Sequence, residues 1–513
     1  MHTRMATKPI ETAPELGLES LLADRQLGEV PYLDALTAYA QGGTGRYHVP
    51  AHKGGAGAPP ALSSLLGPAL ALDLPASTRG IDLGVDPTPL QRAEQLAAET
   101  WGARRTWFMV NGASEASHAA CLALAHGGRD VIVQRNVHSS TIHGLILSGL
   151  RPTFVAPGVD QELGIAHCVT PDALHETFER NPSAVAAMIV SPTYFGASAD
   201  VRALAEVCHD RGVPLIADEA WGPHFHFHER LPEDALSAGA DLVISGTHKL
   251  IGSLTQSAML HLGERDWPQL SEGLLDRALG LVRSTSPSSL LLASLDAARA
   301  HAASSGADLL ARALAEMDLV KQEVRDVCDL DVLDERLVGR HGVAAFDPLR
   351  LAIDVRRAPR DGFALADALH RLANINLELV TEHVLIAHFG IGEPILQHGM
   401  QLIEELLVVL DILGDGPAVA ALELPEQPPF GEPVLCPREA TFARHELVPL
   451  NWAAGRISAE SIVVYPPGIA NVLPGERFTS ELVAHLEAMV ARDCALRGTW
   501  DGSSPVRVLD EKT

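Results

Sequence analysis

Short β-branched runs alternate with helical patterns through the first 300 residues of this chain. "TWFMV", "DVIVQ", "AAMIVS", "VPLIAD" and "DLVIS" are typical of strands, and "AEQLAAETWG", "SEASHAACLALAHGG" and "VRALAEVCHDRG" are typical of helices. Strand and helix in alternation form βαβ units. The sequence therefore predicts an α/β fold with a mostly parallel sheet that is covered by helices on both faces.

A chain of 513 residues is too long for one compact core. The pattern predicts an N-terminal arm and loop over 1–60, a large domain over 61–300 and a small α/β domain over 301–413. A long helix beginning near His301 joins the two domains. A proline-rich linker over 414–433 and a C-terminal α+β domain over 434–513 follow.

Composition excludes several classes of protein. The net charge of −26 disfavours nucleic acid and anionic membranes as partners. The first residues contain no apolar segment typical of a signal peptide, and no stretch reaches 18 uncharged apolar residues. The six cysteines are scattered without metal-ligand spacing, which is typical of a reducing cytosol. We therefore expect a cytoplasmic protein that binds no metal through its cysteines.

Lysine is scarce, since five lysines stand among 39 basic residues: Lys8, Lys53, Lys249, Lys321 and Lys512. One of them, Lys249, follows the predicted strand "DLVIS". A lysine at the end of a strand is usually a solvated surface residue. In a chain that otherwise fills basic positions with arginine, Lys249 is a candidate for chemistry that arginine cannot perform.

Polar residues follow five predicted strands of this sheet at their carboxyl ends. They are Ser114, His138, Thr193, Asp218 and Lys249. In open parallel sheets ligands bind beyond these strand ends. We therefore expect these five residues to lie at one rim of the sheet.

A lysine, a strand-end aspartate and a phosphate-type turn are typical of pyridoxal phosphate catalysis. Lys249 can condense with the cofactor's aldehyde, which a guanidinium cannot do. Asp218 can keep the pyridine nitrogen protonated, and His138 can stack on the ring. "NGASEAS", which opens a helix, offers backbone N–H groups and the Ser114 hydroxyl to the phosphate.

The same region resembles a known family. "DEAWGPHFHFHERLPEDALSAGADLVISGTHKLIGSLTQSAMLHL" is similar to the cofactor-lysine region of the bacterial-type Orn/Lys/Arg decarboxylases. The resemblance extends from "YHVPAHKGGAG" through "RNVHSS", "SPTYFG" and "STSPSSLLLASLD" to "CPREATFARHELVPLNWAAGRISAESIVVYPPGIANVLPGE". It implies the aspartate aminotransferase-like fold of fold-type I pyridoxal phosphate enzymes.

The resemblance also implies roles for individual residues. Lys249, His248, Asp218 and His138 would be catalytic. The cofactor-binding residues would be Ala113, Ser114, His138, Asp218, Trp221, Thr247, His248 and Lys249. Glu476 and Thr285 would contact the distal group of the substrate, with Thr285 supplied by a neighbouring subunit. A dimer or tetramer is expected, since the receiver-like domain of larger members does not precede "YHVPAHK".

Three positions depart from the family pattern. Gly246 stands where the family often has serine, Ala113 where it often has threonine, and Ser139 where it often has lysine. Two hydroxyls that could hold the phosphate are thus absent. Either the cofactor is held more weakly, or Thr247 and backbone amides compensate.

The segment "HFHFH", residues 224–228, could also suggest a metal site, because in an extended strand its three histidines would share one face. No cysteine or carboxylate is patterned beside it, and the family carries similar residues here without metal. We expect no metal.

The sequence predicts decarboxylation of a basic L-amino acid to its amine and CO2, with arginine slightly favoured over lysine and ornithine. Two alternatives remain. One is a different pyridoxal phosphate reaction on the same scaffold, namely aminotransfer or oxidative decarboxylation–deamination. The other is a non-catalytic homologue that regulates or binds polyamines.

Overall fold

A seven-stranded sheet forms the centre of the large domain in the computed structural model, which describes residues 28–414, 428–465, 467–491, 495–498, 502 and 505–510. The strands in chain order are β1 (Arg105–Met109), β2 (Asp130–Gln134), β3 (Arg151–Val155), β4 (Ala187–Val190), β5 (Leu215–Glu219), β6 (Leu242–Ser245) and β7 (Ala258–Leu262). Their spatial order is β1-β7-β6-β5-β4-β2-β3. The five strands from β6 to β3 are parallel, and β7 is antiparallel to β1 and β6. The predicted α/β fold with a mostly parallel sheet is confirmed.

Helices flank this sheet and continue into the rest of the chain. Within the described residues the α-helices are α1 (Pro31–Gln41), α2 (Pro60–Leu66), α3 (Pro89–Trp101), α4 (Gly112–Leu124), α5 (Ser139–Ser148), α6 (Pro171–Arg180), α7 (Val201–Asp210), α8 (Thr247–Leu250), α9 (Glu272–Val282), α10 (Ser289–Cys328), α11 (Gly362–Ala373), α12 (Ile395–Leu413), α13 (Pro437–Phe442) and α14 (Ser480–Ala491).

Local sequence explains why α3 begins and ends where it does. The Thr88 hydroxyl accepts a hydrogen bond from the Gln91 N–H, and the Gln91 side chain accepts one from the Thr88 N–H. This reciprocal capping satisfies two free N–H groups of the first turn. Pro89 occupies the first helical position, and Gly102 ends the helix at φ +65°.

Apolar side chains cover both faces of the sheet, as the run of β-branched residues predicts. Val131 and Val133 pack with α4 and α5, whereas Ile132 points to the opposite face and packs with α6 and α7. All residues of β5 are buried. Burial of each such side chain stabilises the fold by roughly 1.5–3 kcal/mol. The polar strand ends are thereby held on a rigid platform.

The 40-residue helix α10 connects this platform to the small domain. It begins at Ser289, upstream of the predicted start near His301, and so crosses the predicted boundary at residue 300. The small sheet contains β8 (Asp331–Val332), β9 (Leu351–Asp354), β10 (Leu379–Val380) and β11 (Val384–Ala387), in the spatial order β8-β9-β11-β10. Helix α12 packs closely on α10 at Gly399. A Cβ at this position would lie only 2.5 Å from Val320 Cγ2, so the contact requires glycine.

Within the described residues, the C-terminal domain consists of short strands and two α-helices. Its strands are β12 (Glu432–Pro433), β13 (His445–Val448), β14 (Ile462–Tyr465), β15 (Ile469–Val472), β16 (Glu476–Arg477), β17 (Ala495–Gly498) and β18 (Val506–Leu509). Arg438 of α13 donates to the Leu147 carbonyl of α5 at 2.8 Å, which ties this domain to the large one. Most of the predicted linker over 414–433 lies outside the described residues.

Four further short strands form two pairs. They are Val159–Asp160 with Ile165–Ala166, and Ala197–Ser198 with Ala345–Phe346. The second pair joins the large domain to the loop that precedes β9. Across the ranges that the structure describes, we find no helix with the length and apolar character needed to cross a membrane.

Candidate active site

The predicted rim exists, and Asp218 lies at its centre. Asp218 in β5 pairs with Val190 of β4 on one side and with Ile244 of β6 on the other. The chain therefore leaves β4 toward Tyr194 and leaves β6 toward Lys249 at the same edge of the sheet. This arrangement confirms that the polar residues after these strands share one rim.

Lys249 lies on the four-residue helix α8, directly after β6. Its Nζ is 4.0 Å from the ring centre of Trp221 and 6.0 Å from that of Tyr194. Burial lowers the pKa of Lys249 to about 8, while the charge of Asp218 opposes this shift and that of Arg350 adds to it. A substantial fraction of the amine is therefore neutral in mildly alkaline solution, as a condensation with an aldehyde requires.

The carboxylate of Asp218 is buried, with 9% of the residue exposed. Its Oδ1 accepts a hydrogen bond from the Ala220 N–H at 3.1 Å, which fixes the side chain. Its charge acts on both Lys249 and His138. A fixed buried carboxylate at this rim can hold a proton on the nitrogen of an aromatic cofactor.

His138 caps the N-terminus of α5 and is an exposed residue. Its Nδ1 accepts a hydrogen bond from the Ser140 N–H at 3.2 Å and lies 2.8 Å from the Ser140 hydroxyl. Because a backbone N–H can only donate, Nδ1 is unprotonated and the proton of the neutral ring is on Nε2. The ring is thus held in one orientation, as a stacking group requires.

His248 is fixed in the complementary tautomer. Its Nδ1 lies 2.7 Å from the Ser257 carbonyl, which can only accept, so Nδ1 carries the proton. Its Nε2 is the ring atom left to take up or release a proton. His248 and Lys249 line a cavity of about 570 Å³, whose other lining residues include Ser294, His301 and Glu393.

The N-terminus of α4 can receive a phosphate. Its N-cap residue, Asn111, makes no side-chain hydrogen bond to the first turn, and Gly112 has φ +73°. Ala113 and Ser114 follow as half-buried residues of that first turn. Free N–H groups at the start of a 13-residue helix attract an anion.

Three buried hydroxyls near the rim make no hydrogen bond within the described residues. They belong to Thr193, Ser245 and Thr247. Buried polar atoms are rarely left unpaired in native proteins unless a ligand or water completes them. Ser245 was not among the predicted residues. It directly precedes Gly246, the position at which the family often has serine.

Packing explains the departure at Gly246. A Cβ at this position would lie 2.4 Å from the Ala220 carbonyl oxygen. The chain after β6 therefore approaches the chain after β5 too closely for any side chain here. The serine often found in the family cannot be accommodated at position 246 without movement of the backbone.

Three further residues of the site were not predicted from the sequence: Arg350, Glu378 and His388. Tyr194 and His388 contact the edge of the Trp221 ring, with ring centres 5.5 and 5.4 Å from that of Trp221. Arg350 and Glu378 act on Lys249 through their charges. Arg350 directly precedes β9 and His388 directly follows β11 of the small sheet. The segments "LRLAIDV" and "VLIAHFG" predict only strands. No local signal in the sequence distinguishes them.

The two predicted substrate residues lie in other elements of the fold, Glu476 in β16 and Thr285 between α9 and α10. Glu476 is 3% exposed, and its carboxylate forms a buried ion pair with the Arg135 guanidinium, one of whose contacts is 2.7 Å long. Its Oε2 also accepts from the Leu473 N–H at 2.9 Å. Thr285 is exposed between α9 and α10. Their predicted contacts with substrate stay predictions.

The "HFHFH" segment is not extended. Phe225–Phe227 forms a 3₁₀ turn, so its histidines point to different partners. His224 lies 3.3 Å from Asp347, His226 lies 3.1 Å from Asp234, and His228 accepts from the Arg230 N–H. The shared face expected of an extended strand is absent from this segment.

The residues at the rim fit pyridoxal phosphate. Lys249 offers an amine of lowered pKa, Asp218 a buried carboxylate and His138 an oriented ring. The Trp221 Nε1 and the Thr247 hydroxyl are buried polar groups that have no hydrogen-bond partner in the described part of the chain. The N–H groups in the first turn of α4 are further donors, and they suit the phosphate of the cofactor.

Comparisons with known proteins agree with this site. The model of the Orn/Lys/Arg decarboxylase major domain matches residues 30–348, and that of the family's C-terminal domain matches residues 426–498. The chain is 33% identical over 488 residues to the arginine decarboxylase of Halalkalibacterium halodurans, which covers 94% of this chain and 98% of that protein. It is 32% identical over 489 residues to the arginine decarboxylase of Bacillus subtilis, with the same coverage of 94% and 98%.

Solved structures support the fold. The constitutive lysine decarboxylase of Escherichia coli superposes with a TM-score of 0.78 at 21% identity, over 94% of this chain and 82% of that one. Lysine decarboxylase A of Pseudomonas aeruginosa gives the same TM-score at 20% identity, over 94% and 80%. Together with the family models, these findings confirm the fold type and the cofactor class. The chain belongs to the Orn/Lys/Arg decarboxylase family of pyridoxal phosphate enzymes.

Proposed function

We propose that this decarboxylase acts on L-arginine and releases agmatine and CO2. The observation that carries the proposal is the similarity, over almost the whole length of both chains, to relatives named arginine decarboxylase. An acidic protein of net charge −26 also does not repel a cationic substrate. The reaction would supply a polyamine precursor in the cytoplasm.

Lys249, Asp218 and His138 would hold the cofactor. Lys249 would carry it covalently, Asp218 would face its ring nitrogen, and His138 would stack on its ring. Ala113 and Ser114 at the start of α4, with Thr247, would bind its phosphate. When bound, pyridoxal phosphate supplies the electron sink for breaking the bond between Cα and the carboxylate.

Residues of the chain would bind or transfer protons and exclude water during the reaction. Asp218 would keep a proton at the ring nitrogen of the bound cofactor, because a buried negative charge stabilises the protonated form. The Lys249 amine and the His248 Nε2 would be the candidates to deliver a proton to the substrate Cα after CO2 leaves. The indole of Trp221, only 6% exposed, excludes water beside the Lys249 amine.

We place Glu378 as the acid that receives the distal cation of the substrate. The charge of its carboxylate acts on Lys249, Arg350 and His388, which supports a position near the lysine. Glu476, by contrast, is committed to Arg135. A carboxylate pairs with a guanidinium through two parallel hydrogen bonds, which favours arginine over shorter amines.

We propose that two copies of the chain form a homodimer with Thr285 contributed across the interface. Large apolar side chains are exposed at Tyr47 (99%), at Leu254 (52%) in the loop after α8 and at Leu281 (78%) near the end of α9. Leu254 lines the cavity beside Lys249, and Leu281 precedes the Thr285 loop. Burial of such side chains in a second copy would stabilise the pair.

A product assay tests the function. Purified enzyme with cofactor is given arginine, lysine and ornithine separately, and CO2 and amine are quantified together. We expect equal amounts of CO2 and agmatine from arginine, with a kcat/KM at least about tenfold higher than for lysine or ornithine, equivalent to about 1.4 kcal/mol. A keto acid or an aldehyde as the product would contradict decarboxylation and indicate aminotransfer or oxidative decarboxylation–deamination instead. Absence of any turnover with bound cofactor would favour a binding protein.

A further inference from the structure

Two residues of the small domain hydrogen-bond consecutive carbonyl groups of α8, the short helix that contains Lys249. The His388 Nε2 hydrogen-bonds the Lys249 carbonyl oxygen, and the Ile391 N–H donates to the Leu250 carbonyl oxygen at 3.2 Å. The last carbonyls of a helix have no partner within the helix. In the short helix α8 the small domain supplies these partners, so the position of Lys249 depends on a second domain.

The contacts of His388 fix its tautomer. The Lys249 carbonyl can only accept, so the His388 Nε2 carries the proton. Its Nδ1 lies 3.5 Å from the Arg350 Nη1, and a guanidinium can only donate. Burial lowers the pKa of His388, and the charge of Arg350 lowers it further. The ring is therefore neutral and has a donor side toward Lys249 and an acceptor side toward Arg350.

Arg350 is a buried cation with incomplete pairing. It is 2% exposed, and its Nη2 lies 3.7 Å from Asp347 Oδ2, beyond hydrogen-bond length. Its Nε and Nη2 make no hydrogen bond to the described residues. Burying such a charge costs several kcal/mol. Its Cζ lies 4.6 Å from the Trp221 ring centre, so one indole contacts the cations of both Arg350 and Lys249.

We propose that Arg350 and His388 are a positioning pair through which the small domain holds Lys249 against Trp221. His388 fixes the backbone of the lysine, and Arg350 adds a like charge near its side chain. Neither residue touches the reacting atoms in this arrangement. The proposal rests on Lys249 being the cofactor lysine.

Other charged and titratable groups also face Lys249. Asp218 on β5 and Glu378 before β10 favour its charged form, and Arg350 on the loop before β9 opposes it. His138 at the start of α5 responds to the same lysine. Tyr194, after β4, contributes only its ring. Arg350 is therefore the one cation among these charged groups that favours the neutral amine.

Competitive acetylation of the cofactor-free protein tests the charge effect. The rate at Lys249 is followed against pH by mass spectrometry, without any activity measurement. We expect a midpoint near 8 for the native chain, and a rise of about one pH unit in Arg350→Met. Arg350→Lys keeps the charge and should stay near the native midpoint. Arg371→Met, an exposed arginine of the same domain, is the matched control.

An unchanged midpoint in a folded Arg350→Met protein would overturn the role of Arg350. Should that variant fail to fold, His388 provides the second test. His388→Gln keeps an N–H donor near the Lys249 carbonyl, and His388→Phe keeps only a ring. We expect amide hydrogen exchange in the peptide covering 247–251 to accelerate about tenfold in His388→Phe and to stay native in His388→Gln.

Native exchange in His388→Phe would overturn the role of His388. Both measurements are made without cofactor, so they are independent of the proposed reaction. A native chain that passes them and yet forms no amine from arginine would contradict the proposed function and leave the positioning pair intact. If the chain decarboxylates arginine but the acetylation and exchange results contradict the expectations, the proposed function stands and the positioning pair is wrong.

Discussion

The Lys249 ammonium lies 4.0 Å from the ring centre of Trp221. This contact places the reactive amine on an aromatic surface that is itself buried and that carries Arg350 as well. A cation over an indole is stabilised by roughly 0.5–2 kcal/mol. Trp221 therefore orients the lysine, whereas the burial that it provides makes the amine easier to deprotonate.

Replacing this indole should weaken cofactor binding. We expect Trp221→Ala to raise the apparent Kd for pyridoxal phosphate about tenfold or more, because the lysine loses its support and water enters the cleft. Trp221→Phe keeps an aromatic face and should lose only a few-fold. Fluorescence titration of the cofactor-free variants gives both values. Equal affinity in the native chain and Trp221→Ala would contradict this role.

The glycine at 246 should not accept a side chain. A Cβ there would meet the Ala220 carbonyl at 2.4 Å, so Gly246→Ser should displace α8 and lower both melting temperature and cofactor affinity. Gly280→Ala is the matched control, since nothing lies within 4 Å of a Cβ at that helical position. We expect Gly280→Ala to be neutral or stabilising by about 0.5–1 kcal/mol. Stable, cofactor-saturated Gly246→Ser would show that the backbone relaxes.

Glu476 should act on stability rather than on substrate choice. Removing one partner of a buried ion pair costs about 3–5 kcal/mol, so Glu476→Gln should lower the melting temperature strongly. The ratio of kcat/KM for arginine and lysine should stay unchanged at a temperature where the variant is folded. A normal melting temperature with altered substrate preference would instead support Glu476 as the ligand of the distal group.

Glu378→Gln should affect substrate binding and leave stability nearly unchanged, in contrast to Glu476→Gln. It removes a charge from an exposed position, so the melting temperature should change little. The KM for arginine should rise about tenfold or more if the guanidinium pairs with this carboxylate. Steady-state kinetics with arginine, combined with a melting curve, distinguish the two glutamates. An unchanged KM in Glu378→Gln would remove it from the substrate site.

The buried Lys321 should make stability depend on pH. Burial lowers its pKa to about 8 from an ordinary value of 10.5. Between these values the unfolded chain binds more protons than the folded chain, so the free energy of unfolding should rise with pH from about 8 to about 10.5. Lys321→Met should flatten this rise when urea unfolding is followed in that pH range. A rise of the same size in Lys321→Met would assign it to other groups, including Lys249.

The rim was predictable because each of its residues follows a strand of clear pattern. Lys249, Asp218 and His138 needed only the rule that ligands bind at the carboxyl ends of parallel strands. Arg350 and His388 were not predictable, since their contact with the lysine helix arises from the packing of a second domain. The same holds for Arg135 and Glu476, which are 341 positions apart in sequence.

Helix boundaries show the same limit. The start of α10 at Ser289 was missed because its first turns contain leucine, serine and alanine without the charged periodicity that marks the later part of the helix. Ser288 caps it through a hydrogen bond to the Leu291 N–H. The close approach that excludes a side chain at Gly246 depends on two loops that only the folded sheet brings together.

The most direct test of the central claim is to locate the cofactor on the chain. Borohydride reduction of the enzyme loaded with pyridoxal phosphate, followed by peptide mapping, fixes the cofactor to the lysine with which it has condensed. The chain has five lysines, so the assignment is unambiguous. We predict a single adduct on Lys249 that is absent from Lys249→Ala. An adduct on Lys53 or Lys321, or none on any lysine of the native chain, would contradict the account.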